Sequence, residues 1–95
     1  VAYVYAHYHL GLVYHKIGKD ERAMEEFTQA LATDDKYVSA HEKVAELYES
    51  LGNFKKAREH YKRCLELVDP KSSVREKILA KLQSLSSKEK SKGSV

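Results

Sequence analysis

Residues 10–31 read Leu10-Gly11-Leu12-Val13-Tyr14-His15-Lys16-Ile17-Gly18-Lys19-Asp20-Glu21-Arg22-Ala23-Met24-Glu25-Glu26-Phe27-Thr28-Gln29-Ala30-Leu31. With Ala6 just upstream, Leu10, Val13, Tyr14 and Ile17 recur at the three-and-four spacing of one helical face. Gly18 follows, a residue able to take positive φ and stop that helix. Asp20 is placed to cap a second helix, whose apolar stripe is Ala23, Phe27, Ala30 and Leu31. The stretch is a helix, a tight turn and a helix. Small residues at Ala23 and Ala30 allow the two helices to approach closely, and Phe27 fills the space beside them.

Displaced by thirty-four residues, the chain matches itself. Val4 falls on Val38, Ala6 on Ala40, His7 on His41, Tyr14 on Tyr48 and Gly18 on Gly52. Ala23 falls on Ala57, Glu25 on Glu59, Leu31 on Leu65 and Asp35 on Asp69. Leu10/Val44, Val13/Leu47, Ile17/Leu51 and Phe27/Tyr61 are conservative pairs. A fixed period of this length marks stacked helical repeats. Helices are predicted over 4–17, 20–33, 38–51 and 54–68.

The set Leu10-Gly11, Tyr14, Gly18, Ala23, Phe27, Ala30 resembles the tetratricopeptide repeat, and Tyr48, Gly52, Ala57 and Tyr61 continue the likeness. The second unit departs from the pattern at Ala45 and Cys64, which stand where the family has glycine and alanine. His7 and His41 stand where it favours a large aromatic. The resemblance covers residues 4–71. It implies an all-α, right-handed superhelix of two helix-turn-helix repeats, at 4–37 and 38–71, closed by a capping helix at 72–86.

That last helix follows Pro70, which bars the preceding helix from running on, and Ser72 or Ser73 is placed to cap it. Val74, Ile78, Leu79, Leu82 and Leu85 form its inner stripe, and Glu76, Lys77, Lys81 and Gln83 its expected polar outer face. The chain is expected to hold the carboxyl end of a repeat array. Earlier repeats or a partner are expected to cover the apolar front formed by Val1, Val4, Tyr5 and Tyr8. Residues 87–95 carry lysines among serines with little to bury, and are expected to be a disordered basic tail.

Charge is unevenly spread over the 95 residues. Residues 1–70 hold ten Lys/Arg and twelve Asp/Glu, whereas residues 71–95 hold seven and two. The tail lacks aromatics to stack on bases, so a solvated segment is expected rather than a nucleic-acid contact. No apolar run approaches the ~20 residues of a membrane span. The single cysteine, Cys64, forms no internal disulfide, and an intracellular setting, cytoplasmic or nuclear, is the expectation.

Chemistry is sparse. No glycine-rich phosphate loop occurs, and His41-Glu42 lacks the second histidine of a zinc-protease helix. A Cys64–His60 pair shares a helical turn, but Cys64 sits at the core position of Ala30, where thiols are inert. No enzyme activity, cofactor, metal or small-molecule substrate is expected.

The resemblance implies a concave groove lined by the first helix of each unit, binding a peptide or helix of a partner protein. By repeat phase the inward positions are Tyr5, Tyr8, His9, Leu12, His15 and Lys16, then Ser39, Glu42, Lys43, Glu46 and Glu49, then Glu76 and Lys77. The expected role is a non-catalytic scaffold in a multi-protein complex. Two alternatives stay open. One is an adaptor like the co-chaperones that hold heat-shock chaperone carboxylates, although Tyr8 and Leu12 stand at clamp positions and only Lys43 and Lys77 are cationic. The other is self-association through the apolar first helix.

Overall fold

The computed structural model describes residues 2–93. Among them run five α-helices and no strand: α1 (Ala2–Lys16), α2 (Asp20–Thr33), α3 (Val38–Ser50), α4 (Phe54–Leu67) and α5 (Ser73–Gly93). Each helix packs on the next in sequence, giving a helical-repeat superhelix.

Both units turn on the same device. Gly18 and Gly52 take φ of 83° and 82°. Past them, Lys19 N donates to Tyr14 O at 2.8 Å and Gly18 N to His15 O at 3.0 Å. Asn53 N to Tyr48 O, 2.9 Å, and Gly52 N to Glu49 O, 3.0 Å, repeat the pattern. These are Schellman closures, in which a left-handed glycine lets the last carbonyls of a helix find donors.

Capping differs from the expectation at α2. Its cap residue is Lys19, with no side-chain cap bond, and Asp20 is the first helical residue. There Asp20 favours the positive end of the helix dipole, and its carboxylate turns back to His15 Nδ1 at 2.8 Å. In the second unit Asn53 caps α4, accepting from Lys56 N at 3.3 Å. Ser72 Oγ accepts from Val74 N at 3.1 Å at the start of α5.

Three buried clusters run along the stack. Val4, Ala30 and Ala40 form the first, and Ala23, Phe27, Val44 and Leu47 the second, holding α2 against α3. Ala45, Ala57, Tyr61, Cys64, Ile78 and Leu85 form the third, which seats α5. Close approach is tightest at Gly11, where an added Cβ would lie 2.5–2.8 Å from the Phe27 ring.

Two expectations about α5 are corrected. The helix does not stop near residue 86; residues 87–93 of the expected tail continue it to Gly93, and residues 94–95 lie outside the described part. The reason is electrostatic. Lys88 pairs with Glu49 of α3 and Glu89 with Arg58 of α4, so these two charges have partners on the repeat body. Lys81, expected on the polar outer face, instead reaches Glu46 of α3, and Lys77, named both there and among the inward positions, is exposed but pairs with Glu42.

The apolar stripe of α1 is partly open. Leu10 and Val13 are 45% and 55% exposed, while their equivalents Val44 and Leu47 in α3 are 2% and 3% exposed; Ile17 and its equivalent Leu51 are exposed in both units, at 59% and 69%. The α3 stripe lies on α2. Among the described residues no helix covers the α1 stripe in the same way.

Candidate functional site

The expected groove positions lie on α1, α3 and α5, and their side chains divide into an aromatic end and a charged end. At the aromatic end, Tyr5 and Tyr37 meet edge to face, with centroids 5.7 Å apart and planes at 90°. Tyr8 lies 5.2 Å from Tyr37 and 5.7 Å from Phe27. His9 stacks on Tyr5 at 6.0 Å and meets the edge of Tyr8 at 5.6 Å. Tyr8 is half-buried because it rests on Phe27, whereas Tyr5 stays 56% exposed. Burial, and then the neighbouring Tyr5 and Tyr8 hydroxyls, push the Tyr37 hydroxyl above its usual pKa. The Tyr37 ring is therefore a neutral phenol near neutral pH.

Towards the middle, Leu12 packs into the cluster around Phe27 and Leu47. A recess of about 150 Å³ is bounded by His15, Phe27, Lys43, Glu46, Leu47 and Ser50. His15 spends its Nδ1 on Asp20 in the turn. Lys16 is exposed, and Ser39 is half-buried near the start of α3.

At the charged end, the carboxylates of α3 face the lysines of α5. Glu42 Oε2 lies 3.1 Å from Lys77 Nζ and 4.0 Å from Lys81 Nζ. Glu46 Oε1 meets Lys81 Nζ at 2.5 Å, and its Oε2 meets Lys43 at 3.4 Å. Glu49 pairs with Lys88 and accepts from the Tyr61 hydroxyl at 3.3 Å. Burial raises the Glu46 pKa, but the hydrogen bond and charge of Lys81, then Lys43, outweigh it and hold the carboxyl below its usual range. The hydrogen bond to Glu42, then its charge, raise the Lys77 pKa. Glu76 is exposed and takes no part in the row.

Four residues were not assigned these places by the sequence reading. Tyr37 sits in the turn before α3, outside the first-helix positions that were counted; its repeat equivalent, Tyr3, was a signal that an aromatic belongs there. Lys81 and Lys88 follow Lys77 by four and eleven residues, which keeps them on one helical face, as the four- and seven-residue spacing does for Glu42, Glu46 and Glu49. His60 stands where the first unit has Glu26. His7 Nδ1 bonds Glu26 Oε1 at 2.7 Å, and His41 Nδ1 meets His60 Nδ1 at 3.0 Å, so both histidines stitch paired helices together.

The thiol is unsuited to nucleophilic work. Cys64 is fully buried, and burial, then the charge of Glu42, push its pKa up to about 12. The His60 ring is turned to His41 and Tyr48 rather than to the sulfur.

A model of the tetratricopeptide repeat matches residues 4–37 and 38–69, most of the chain. The chain belongs to the tetratricopeptide repeat family. No curated protein matches it as a relative. Tetratricopeptide repeats generally mediate protein–protein interactions and are typically non-catalytic. Among the described residues, no helix is long and apolar enough to cross a membrane.

Proposed function

We propose that this tetratricopeptide repeat chain is a non-catalytic scaffold module that receives a peptide or helix of a partner protein along the face shared by α1, α3 and α5. The observation that supports this reading is the aromatic end of that face. Tyr5 and His9 are exposed rings stacked on each other, held by Tyr8 and Tyr37 beneath them. Rings give large contact area at small entropy cost, which makes them favoured anchors. The carboxylate-clamp alternative is less well supported, because Lys43, Lys77 and Lys81 are each already paired with a glutamate.

Self-association keeps one specific observation in its favour, the exposed Leu10, Val13 and Ile17 stripe. It concerns a different side of α1 and does not compete for Tyr5.

The test is to select binding peptides from a random display library and map them by backbone amide shifts. Footprints are expected on Tyr5, Tyr8, His9, Leu12 and Lys43, and a Tyr5→Ala/His9→Ala variant with unchanged circular dichroism should bind about tenfold more weakly. Footprints on the outer residues of α2 and α4, such as Gln29 and Lys62, with no loss in the variant, would refute the assignment.

A further inference from the structure

We propose that the aromatic end of the face contains a receptor for an ammonium group, a lysine side chain of the partner, bound best when it is methylated. The inference rests on the reading that a partner lies along α1, α3 and α5, and it names the chemistry of one anchor. Between the amino end of α1 and the α2–α3 turn lies a cavity of about 420 Å³, lined by Val4, Tyr5, Thr33, Asp34 and Tyr37. Its two aromatic walls are the Tyr5 and Tyr37 rings, perpendicular to one another, with Tyr8 backing Tyr37. Two rings at a right angle, with a carboxylate in the same lining, suit an organic cation through ring quadrupoles and one formal charge.

The charge balance at the cavity favours a cation. Asp34 is the charged lining residue. One of its oxygens, Oδ1, accepts from Lys36 N at 3.0 Å, which fixes the carboxylate without neutralising it. Its neighbour Asp35 is committed elsewhere, to Arg63 at 3.7 Å. The last turn of α2, whose carbonyl end points to this corner, carries no basic side chain. Against these stand the exposed Lys36 and the amino end of α3, which opens just after Tyr37. The opposing charge acts on both cations alike, and the bare ammonium is the weaker ligand because it is the more strongly hydrated. A methylated one sheds water more readily and gains more from the ring faces.

Elsewhere the cationic chemistry of this face is already satisfied internally. Glu42, Glu46 and Glu49 hold lysines of α5, so a partner's cation would have to displace them. The cavity needs no such exchange.

The experiment is a backbone amide titration of the whole chain with three probes: N-acetyl-lysine methylamide, its trimethylammonium form, and the neutral isostere with carbon in place of the charged nitrogen. The trimethylammonium form is expected to shift Tyr5, Asp34 and Tyr37 and to bind at least about fivefold more tightly than the isostere. Asp34→Asn and Tyr5→Leu, both at exposed positions, should each weaken it several-fold while circular dichroism stays unchanged. Equal binding of the neutral isostere overturns the proposal, since shape alone would then suffice. So does binding of the unmethylated probe that exceeds the trimethyl form and ignores Tyr5→Leu. Selected peptides that footprint on Tyr8, Leu12 and Lys43, together with no probe response at Tyr37, would overturn the pocket and leave the partner-binding face standing. Probe binding at Tyr37 with peptide footprints confined to α2 and α4 would instead leave an ammonium pocket and remove that face.

Discussion

At the scale of single residues, two positions carry consequences that can be measured. Gly11 faces the Phe27 ring with no room for a Cβ, and Phe27 is fully buried and cannot swing out. Gly11→Ala should therefore destabilise the fold by about 1–2 kcal/mol despite alanine's better helix propensity, read as a lower urea midpoint at constant slope. The second position is His60. His41 Nε2 donates to Asp35 O at 2.7 Å, so its Nδ1 accepts, and His60 Nδ1–H must donate to it. Burial, then the charge of His41, hold the His60 pKa below 6.5, with Lys56 adding to them and Glu59 opposing. Between the folded value and 6.5 the unfolded chain binds the proton and the folded chain does not. Stability is thus fully present above about pH 6.5 and declines as pH drops below it. His60→Glu restores the histidine–carboxylate pair that His7 and Glu26 make in the first unit, and should reverse that slope over pH 5–7 in thermal melts.

At the scale of elements, the long α5 decides how the second repeat is finished. Ile78 and Leu85 bury its inner stripe against α4, and Lys77, Lys81 and Lys88 bind the α3 carboxylates. Leu79 occupies the repeat position of Gly11 and Ala45, the point where a following helix would need a small residue to come close. Glu46, whose folded pKa lies below 4.5, links the row to pH. Below about pH 4.5 the unfolded chain takes up the proton first, so the stability contributed by this carboxylate is present above that pH and lost as pH falls through the folded value. Glu46→Gln should cost a few tenths to about 1 kcal/mol at pH 7. It should also flatten the acid limb of the stability curve, checked by urea titrations between pH 3 and 7.

At the scale of the whole molecule, the repeats leave one surface unmatched. The stripe of α3 that contains Val44 and Leu47 is sealed by α2, and the same stripe of α1 is open at Leu10, Val13 and Ile17. If the stripe pairs two copies, sedimentation velocity should show a concentration-dependent dimer. Val13→Glu should then give a monomer with unchanged helicity, because that side chain already meets water. A wild-type chain that stays monomeric at hundreds of micromolar would remove self-association and leave the α1/α3/α5 face as the interaction surface under test.

The sequence by itself determined the repeat, the helix pairs, the glycine turns and which residues form the apolar stripe of each helix. These depend on local periodicity and on residues whose backbone freedom is a property of the residue alone. The reading of Asp20 as a cap went astray because a carboxylate beside a turn has two donors within reach, and only the folded turn chose His15. The solvated tail went astray for a similar reason. Lys88 and Glu89 look unpartnered until α5 is laid beside α3 and α4, where Glu49 and Arg58 wait. Tertiary structure alone decided that Tyr37, from a turn, completes the ring cluster with Tyr5 and Tyr8. It also decided that Val44 and Leu47 are buried in α3 while Leu10 and Val13, at the equivalent places in α1, are exposed. Periodicity fixes which side chains share a face, but what that face meets depends on distances between helices that no single helix encodes.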